Sequence, residues 1–124
     1  MKKVVVSCLI VLSAGCGGGK PTAEWVEQLQ SKDAAHRLHA VKALGDRGKE
    51  SAVVAPALAQ ALRDGDPFVR RDAARALGRI GPEARPATLA LIAALRDRNP
   101  GVRQAAGKAL KGIDPEAATR AGVK

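Results

Sequence analysis

The chain has 124 residues, which is enough for one domain, and 46% of them are apolar. One Trp, one Phe and no Tyr exclude a core built around aromatic rings and favour thin, repeated helical layers of small aliphatic side chains, each of which buries little area. The formal net charge of +9 favours acidic proteins, anionic lipid headgroups or nucleic acid as partners.

The first 16 residues have the pattern of a bacterial export signal. A basic start is followed by an uncharged run over residues 4–15 and then by Cys16. The run is too short to cross a hydrocarbon core of about 30 Å, and it fits the apolar region of a signal peptide. With small residues before the cysteine, it resembles the lipobox of bacterial lipoproteins, although Ser13 stands where leucine is usual. The resemblance implies cleavage just before Cys16 and a thioether-linked diacylglycerol on it. An ordinary signal peptide with a coincidental cysteine is the alternative.

The N-terminal pattern also predicts the domain organisation. Residues 1–15 are the expected signal peptide, and residues 16–21 are the lipidated cysteine with a short Gly-rich tether. Cleavage would remove Cys8 and lipid would block Cys16, which leaves no free thiol, disulfide or cysteine metal ligand. Two acyl chains anchor a protein stably, so we expect an exported, membrane-anchored lipoprotein. In a cell with two membranes, Gly17 in place of a retention Asp favours the outer membrane, facing the periplasm.

A repeat of 33 residues occupies the chain after the tether. It needs no gaps, and chance does not bring so many columns into register. The columns include Leu29/Leu62/Leu95, Asp33/Asp66/Asn99, Arg37/Arg70/Arg103, Ala40/Ala73/Ala106, Ala43/Ala76/Ala109 and Leu44/Leu77/Leu110.

Each repeat is predicted to contain two helices. Asp66 is a good N-cap, Pro67 fits the first helical position, and Gly81-Pro82 ends the helix. The predicted helices are 22–30, 33–47, 52–62, 66–80, 84–95 and 99–113. They pair into three hairpins at 22–47, 51–80 and 84–113. Residues 114–124 begin a fourth copy without an apolar stripe, and we expect this tail to fray.

The repeat domain over residues 22–113 is similar to HEAT-like repeats, particularly the short type named after phycobilisome lyases. The residues that carry this resemblance are Leu95-Arg96-Asp97, Asn99-Pro100, Val102-Arg103, Ala105-Ala106 and Ala109-Leu110, with Asp66-Pro67-Phe68-Val69-Arg70 one copy earlier. The family implies an all-α fold, a right-handed α/α superhelix of the ARM/HEAT type. Its proline-bearing helices lie on the convex side and its arginine-bearing helices on the concave side. The resemblance says little about function, because such repeats serve as general scaffolds.

One repeated column holds arginines that each follow a capping residue by four positions. We interpret the column as a structural ladder, because stacking would align the caps of one repeat with the arginines of the next, and the resembled family has such a ladder. An anion site is the alternative. The ladder residues are Asp33, Arg37, Asp66, Arg70, Asn99 and Arg103.

A second basic column holds Lys42, Arg75 and Lys108, and Arg71 and Arg79 extend it along the central helix in steps of four. These side chains point away from the predicted apolar face, and in the family geometry they line the concave groove. They are the candidate partner-binding residues. A solvated surface is the alternative.

The sequence predicts no catalytic or metal site. His36 and His39 share one side of a helix, but a metal would need further ligands. HEAT-like repeats include deoxyhypusine hydroxylase, whose iron ligands come from His-Glu pairs that this sequence lacks, and nothing beyond the repeat supports a bilin lyase. Ser31 and Ser51 lie at a helix end and a turn, and the glycines at 17–19 do not follow a strand as in a phosphate loop. We therefore expect no enzymatic activity and no cofactor.

Two classes of function fit these features. The first is a membrane-tethered scaffold in the cell envelope that binds a protein partner with an acidic surface through the basic groove, or completes the solenoid at an uncapped end. The alternative is charge-driven binding of anionic lipid or polymer phosphates, with nucleic acid as the partner if the chain is not exported. Phosphate binding should weaken steeply with salt, which separates the two classes.

Overall fold

The computed structural model describes residues 19–124, which form seven α-helices and two 3₁₀ helices. The α-helices are α1 (Thr22–Gln28), α2 (Ala34–Gly45), α3 (Ser51–Ala61), α4 (Pro67–Ile80), α5 (Thr88–Ala94), α6 (Pro100–Ile113) and α7 (Pro115–Arg120). The 3₁₀ helices, Gly48–Glu50 and Gly81–Ala87, precede α3 and α5. The described part of the chain contains no strand, and none of its helices is long and apolar enough to cross a membrane.

Capping side chains begin three of these helices at the same point of each repeat. The side chains of Asp33, Asp66 and Asn99 each accept a hydrogen bond from the backbone N–H two residues on. Pro67 and Pro100 occupy the next position, where a missing N–H costs nothing. The caps therefore fix the starts of α2, α4 and α6.

The helix predicted over residues 84–95 is shorter in the structure. Residues Gly81–Ala87 form a 3₁₀ helix, and only Thr88–Ala94 is α-helical. Gly81 leaves α4 with a φ of 84°, and Pro86 has no N–H for an α-helical hydrogen bond. The other five predicted helices are present, with ends that differ by at most two residues.

The helices form the two layers of a solenoid. α2, α4 and α6 contact one another extensively in the inner layer, whereas α3 and α5 touch only slightly in the outer layer. Because the more closely packed layer of a curved array lies on its shorter side, the inner layer forms the concave face, and α1, α3 and α5 form the convex face. The predicted all-α fold, a HEAT-type solenoid of three helical hairpins, is confirmed.

Aliphatic side chains from both layers form one core. Its largest fully buried members are Leu44, Leu58, Leu77, Leu91, Leu110, Ile113, Val41, Val54, Val69 and Val102. Leu44, Leu77 and Leu110 occupy one repeat position on successive inner helices. The core therefore runs through the three repeats, and the central repeat is covered on both sides.

Glycine lets the inner helices approach closely at one repeated position. A Cβ on Gly45 would lie 2.9 Å from the Cβ of Ala76, and a Cβ on Gly78 would lie 3.3 Å from the Cα of Ala109. The third copy carries an exposed Lys111 at this position, and within residues 19–124 no further inner helix packs against α6. Within the described residues, the close approach therefore joins α2 to α4 and α4 to α6.

The segment 114–124 does not fray as we expected, because it covers the third repeat. The Asp114 side chain accepts a hydrogen bond from the N–H of Ala117 and begins α7, which buries Ala117. Val123 then returns to α6, where the missing side chain of Gly107 leaves room for it. A helix of six residues is too short to show an apolar stripe in the sequence, which is why the cap was not predicted.

Candidate functional site

A basic groove lies on the concave face between α4 and α6. Arg71, Arg75 and Arg79 line one wall at successive turns of α4, while Gln104 and Lys108 project from α6. The groove has a volume of about 820 Å³. Its floor consists of the small residues Ala74, Gly78, Ala105 and Ala109. Cationic walls thus enclose a floor that is shallow and mostly apolar, which suits a ligand that is acidic and has little bulk.

A buried carboxylate lies beside two of the groove's arginines. Asp72 is 8% exposed, and its Oδ1 accepts a hydrogen bond from Nε of Arg71 at 3.1 Å. Nη1 of Arg75 lies 3.7 Å from the same oxygen. Because one carboxylate serves both arginines, a net positive charge remains at this wall. Lys108 forms no ion pair with a carboxylate within residues 19–124.

The candidate residue Lys42 does not line the basic groove. It lies one repeat earlier, on α2, where its backbone carbonyl accepts a hydrogen bond from Nη2 of Arg79 at 3.3 Å. The same Nη2 is 3.5 Å from Oδ1 of Asp46. The structure therefore brings four of the five candidate cations together and uses Arg79 to connect the groove to the first repeat.

Phe68 lies beside the groove near the start of α4. Its side chain is 57% exposed, and the guanidinium carbon of Arg71 lies 5.2 Å from its ring centroid. A cation over an aromatic face is a favourable contact. Phe68, which no repeated column indicated, thus adds an exposed aromatic surface next to the cations.

The arginine column is a ladder, but its acidic partners are not the capping residues that we expected. Arg37 donates two hydrogen bonds to the carboxylate of Asp64, at 2.8 and 3.1 Å. Arg70 donates two to the carboxylate of Asp97, at 2.9 and 3.2 Å. These bidentate pairs join the first repeat to the second and the second to the third.

The capping residues have another role. Asp33, Asp66 and Asn99 accept hydrogen bonds from N–H groups of the helices they begin, so their oxygens are already in use. The carboxylates of the ladder lie two residues before the caps and also repeat at the 33-residue offset. Ser31 replaces the carboxylate in the first copy, which made this column less visible.

A third hydrogen bond completes each arginine of the ladder. Nη1 of Arg37, Arg70 and Arg103 donates to a backbone carbonyl six residues earlier, at 2.7 to 2.8 Å. Arg103 keeps this contact but forms no ion pair within residues 19–124. The ladder therefore acts as a structural connection between repeats, and three of the five N–H donors of Arg37 and of Arg70 are used inside the protein.

The ladder shifts the ionisation of its members. The hydrogen bond to the carboxylate of Asp64 raises the pKa of Arg37 above its ordinary value and outweighs the opposite effect of burial. Burial alone would raise the pKa of Asp97, but hydrogen bonds from Arg70 and from the N–H of Asn99, with the nearby positive charge, lower it below its usual value. Each shift favours the charged form of its group, Arg37 in the pair with Asp64 and Asp97 in the pair with Arg70.

The two histidines do not meet at one site. Nε2 of His36 lies 3.8 Å from Oδ2 of Asp33, whereas the ring of His39 packs against Trp25 with centroids 5.1 Å apart. Across residues 19–124, no three His, Cys, Asp or Glu side chains are grouped as a set of metal ligands. Cys16, the predicted lipidation site, lies outside the described residues.

The chain belongs to the family of HEAT repeats, because the sequence pattern of that family matches residues 22–111. The similar solved structures include the complex of CpcE and CpcF of phycocyanin lyase from Nostoc sp. PCC7120, with a TM-score of 0.74 and 32% sequence identity. That match covers 85% of this chain and 41% of the other, so this chain spans less than half the length of the lyase chain.

A second similar structure is a crystal structure of an engineered protein from the Northeast Structural Genomics Consortium. It has a TM-score of 0.63 and 24% identity, over 82% of this chain and 51% of that one, which shows the same fold. No curated protein matches this chain significantly in sequence. The family membership confirms the resemblance seen in the repeat. It does not identify a ligand.

Proposed function

We propose that this protein is a lipid-anchored HEAT-repeat scaffold that binds an acidic segment of a partner protein in the basic groove. The observation that carries the proposal is the grouping of Arg71, Arg75, Arg79 and Lys108 around a floor of alanine and glycine. Helix formation does not require cations at these positions, since Gln or Glu would serve as well. The excess of cations over carboxylates at this groove supports a binding role over a purely solvating one.

The spacing of the cations indicates what kind of segment fits. Successive arginines on α4 are about one helical turn apart, which is about 6 Å along the helix axis. Alternate residues of an extended peptide are about 6.6 Å apart. An extended segment with acidic residues at alternate positions can therefore place a carboxylate near each of Arg71, Arg75 and Arg79, while its smaller residues face the floor.

The family supports an interaction role. HEAT repeats are extended scaffolds with concave binding surfaces, and the similar lyase structure is a complex of two chains, CpcE and CpcF. We infer binding and not catalysis for this chain, because the groove is lined by arginine, lysine, glutamine, alanine and glycine. The lipid anchor in the proposal is supported by the lipobox-like residues that end at Cys16.

Charge reversal in the groove tests the proposal. The probe is a synthetic peptide with glutamate at alternate positions, and a peptide with glutamine in their place is its control. The variant Arg75→Glu with Lys108→Glu should bind the glutamate peptide at least about tenfold more weakly, mainly through a lower association rate. Binding rates and melting temperature are measured together on the full chain.

Arg63→Glu with Arg96→Glu is the matched control variant. It changes the net charge by the same amount, at exposed residues in the turns after α3 and α5, and should bind the peptide nearly as well as the original chain. Equal binding by the groove variant and the original chain would contradict the proposal. Steep loss of binding to inorganic polyphosphate with salt, together with no peptide binding, would instead favour the phosphate-binding alternative.

A further inference from the structure

Four apolar side chains form an exposed array on the convex face. Val53 and Pro56 lie on α3, and Pro86 and Leu89 occupy the corresponding positions one repeat later. Leu89 is 81% exposed and Val53 is 56% exposed, although both belong to helices whose other faces are buried in the core. The two pairs have equivalent repeat positions in adjacent repeats of the convex layer, and all four residues are exposed. We call them the convex apolar array.

The start of the described chain lies at the same end of the molecule as this array. Nη2 of Arg47 donates a hydrogen bond to the carbonyl of Lys20 at 2.6 Å, and the Thr22 hydroxyl donates one to Glu50 at 2.7 Å. These contacts hold Lys20 and the first residue of α1 against Arg47 and the 3₁₀ helix that leads into α3. Val53 lies in the first turn of α3, so the N-terminal segment and the array share one edge.

The predicted anchor is therefore close to the array. Cys16 and Lys20 are four residues apart, and a fully extended chain spans at most about 3.6 Å per residue, or about 14 Å in all. A lipid on Cys16 would hold this edge of the protein at the bilayer surface. It leaves the concave face, on the opposite side of the solenoid, directed away from the lipid.

The charges around the array fit an anionic surface. Lys20, Lys49 and Arg85 are exposed at this edge, and Arg85 occupies the repeat position of Ala52, next to Val53. Of the carboxylates at this edge, Glu50 is engaged by Thr22 and by Arg47 at 3.7 Å, and the exposed Glu83 still leaves the three cations in excess. Apolar side chains among cations are the composition of a face that lies in the headgroup region of anionic membranes.

From these observations we infer that the convex apolar array rests on an anionic bilayer, with Leu89 and Val53 inserted among the headgroups. A protein partner is a poorer occupant, because four side chains cover much less than the roughly 800 Å² per partner of a stable protein interface. The inference rests on the anchor of the proposed function but not on the basic groove. It gives the scaffold a fixed orientation, with the groove facing away from the membrane.

A fluorescent probe at Leu89 tests this orientation. The full chain with Leu89→Cys, labelled with an environment-sensitive dye, is reconstituted into vesicles of phosphatidylcholine and phosphatidylglycerol at about seven to three. We expect a blue-shifted emission that brominated lipids quench. The same dye at Lys42→Cys, on the concave face, should show neither effect. Dye treatment of the original chain measures any labelling of Cys8 or Cys16.

A second substitution measures the contribution of the array. Val53→Asp in the labelled Leu89→Cys chain should reduce quenching at least about twofold, whereas Gln60→Asp, at the far end of α3, should leave it nearly unchanged. Vesicle-bound protein whose Leu89 probe is no better quenched than the Lys42 probe would overturn the inference alone. A chain that does not stay with the vesicles and whose mass lacks a diacylglycerol would overturn both the inference and the anchor.

Discussion

Arg70 donates three hydrogen bonds, and two of them join the second repeat to the third. Two go to the carboxylate of Asp97 and one to the carbonyl of Asp64, and the Arg70 residue is only 8% exposed. The planar guanidinium suits this role because its donors diverge in one plane, which a lysine cannot reproduce. The residue therefore contributes to stability and to the spacing of the repeats, whereas the groove cations are the residues proposed to bind the partner.

Asp97→Asn tests the stability of this ladder. Loss of the charged acceptor should lower the free energy of unfolding by about 1–3 kcal/mol at pH 7, because a charge-assisted hydrogen bond becomes a weaker neutral one. The pKa of Asp97 is lowered in the folded protein, so the ionised carboxylate stabilises the fold above its unfolded pKa of about 4. That stabilisation is lost as the pH falls through the lower folded pKa. Urea unfolding at several pH values measures both effects.

The difference between the original chain and the Asp97→Asn variant should therefore shrink in acid. Glu116→Gln is the control, since Glu116 is 88% exposed and pairs only with Arg120 within the described residues. It should leave stability almost unchanged at every pH. A difference for Asp97→Asn that stays constant down to about pH 2 would show that its carboxylate charge is not what stabilises the ladder.

Among the elements, α2 and α4 show how glycine sets the distance between inner helices. Gly45→Ala places a methyl group against Ala76 and the Arg79 guanidinium. We expect a loss of about 1–3 kcal/mol in the free energy of unfolding, because the helices must move apart. This loss should exceed the gain of up to about 1 kcal/mol from the better helix propensity of alanine. Thermal unfolding measures the result.

Gly112→Ala on α6 is the matched control. A Cβ on Gly112 would meet nothing within 4 Å, so only the helix propensity changes and stability should rise by up to about 1 kcal/mol. We expect Gly45→Ala to lower the free energy of unfolding and Gly112→Ala to raise it. If Gly45→Ala stabilises the protein as Gly112→Ala does, the close approach of α2 and α4 tolerates a side chain.

The helix boundaries could be predicted from the sequence wherever two kinds of sequence feature, such as a cap and an apolar stripe, occurred together. The starts of α4 and α6 carry a cap, a proline and an apolar stripe in register, and their ends were placed to within one residue. The segment before α5 has prolines and alanines, whose composition does not distinguish an α-helix from a 3₁₀ helix. The segment after α6 is held against the third repeat by tertiary contacts of Ala117, which is buried, and Val123, which is partly buried, and no local pattern reveals them.

The sequence also predicted part of the candidate binding site, namely the arginines on α4. Steps of four along one helix identified Arg71, Arg75 and Arg79, because that spacing places side chains on one face whatever packs beside it. Placing Lys42 outside the groove required the three-dimensional packing of neighbouring repeats. The 33-residue offset relates the ladder carboxylates Asp64 and Asp97 and could have identified them. The capping residues lie closer in sequence to the arginines, and they were predicted as the partners instead.

The whole molecule depends on one core shared by three repeats. Leu77 is completely buried in the central repeat, between inner helices on both sides. Leu77→Ala should cost about 2–5 kcal/mol, the usual range for a buried leucine, and should lower the unfolding midpoint of all three repeats together. Circular dichroism with urea measures the loss. Leu89→Ala, at an exposed position of the same chain, should change stability by no more than about 0.5 kcal/mol.

The exposed Lys111 limits where a further repeat can be added to this solenoid. Tandem duplication lengthens a solenoid when the new copy can stack on the old one, and stacking of inner helices here uses glycine at this position. Lys111 places a long charged side chain where another inner helix would approach, and Val123 occupies the neighbouring space over Gly107. A duplicated repeat would therefore fit between existing copies, where Gly45 or Gly78 accepts a neighbour, but not after the third.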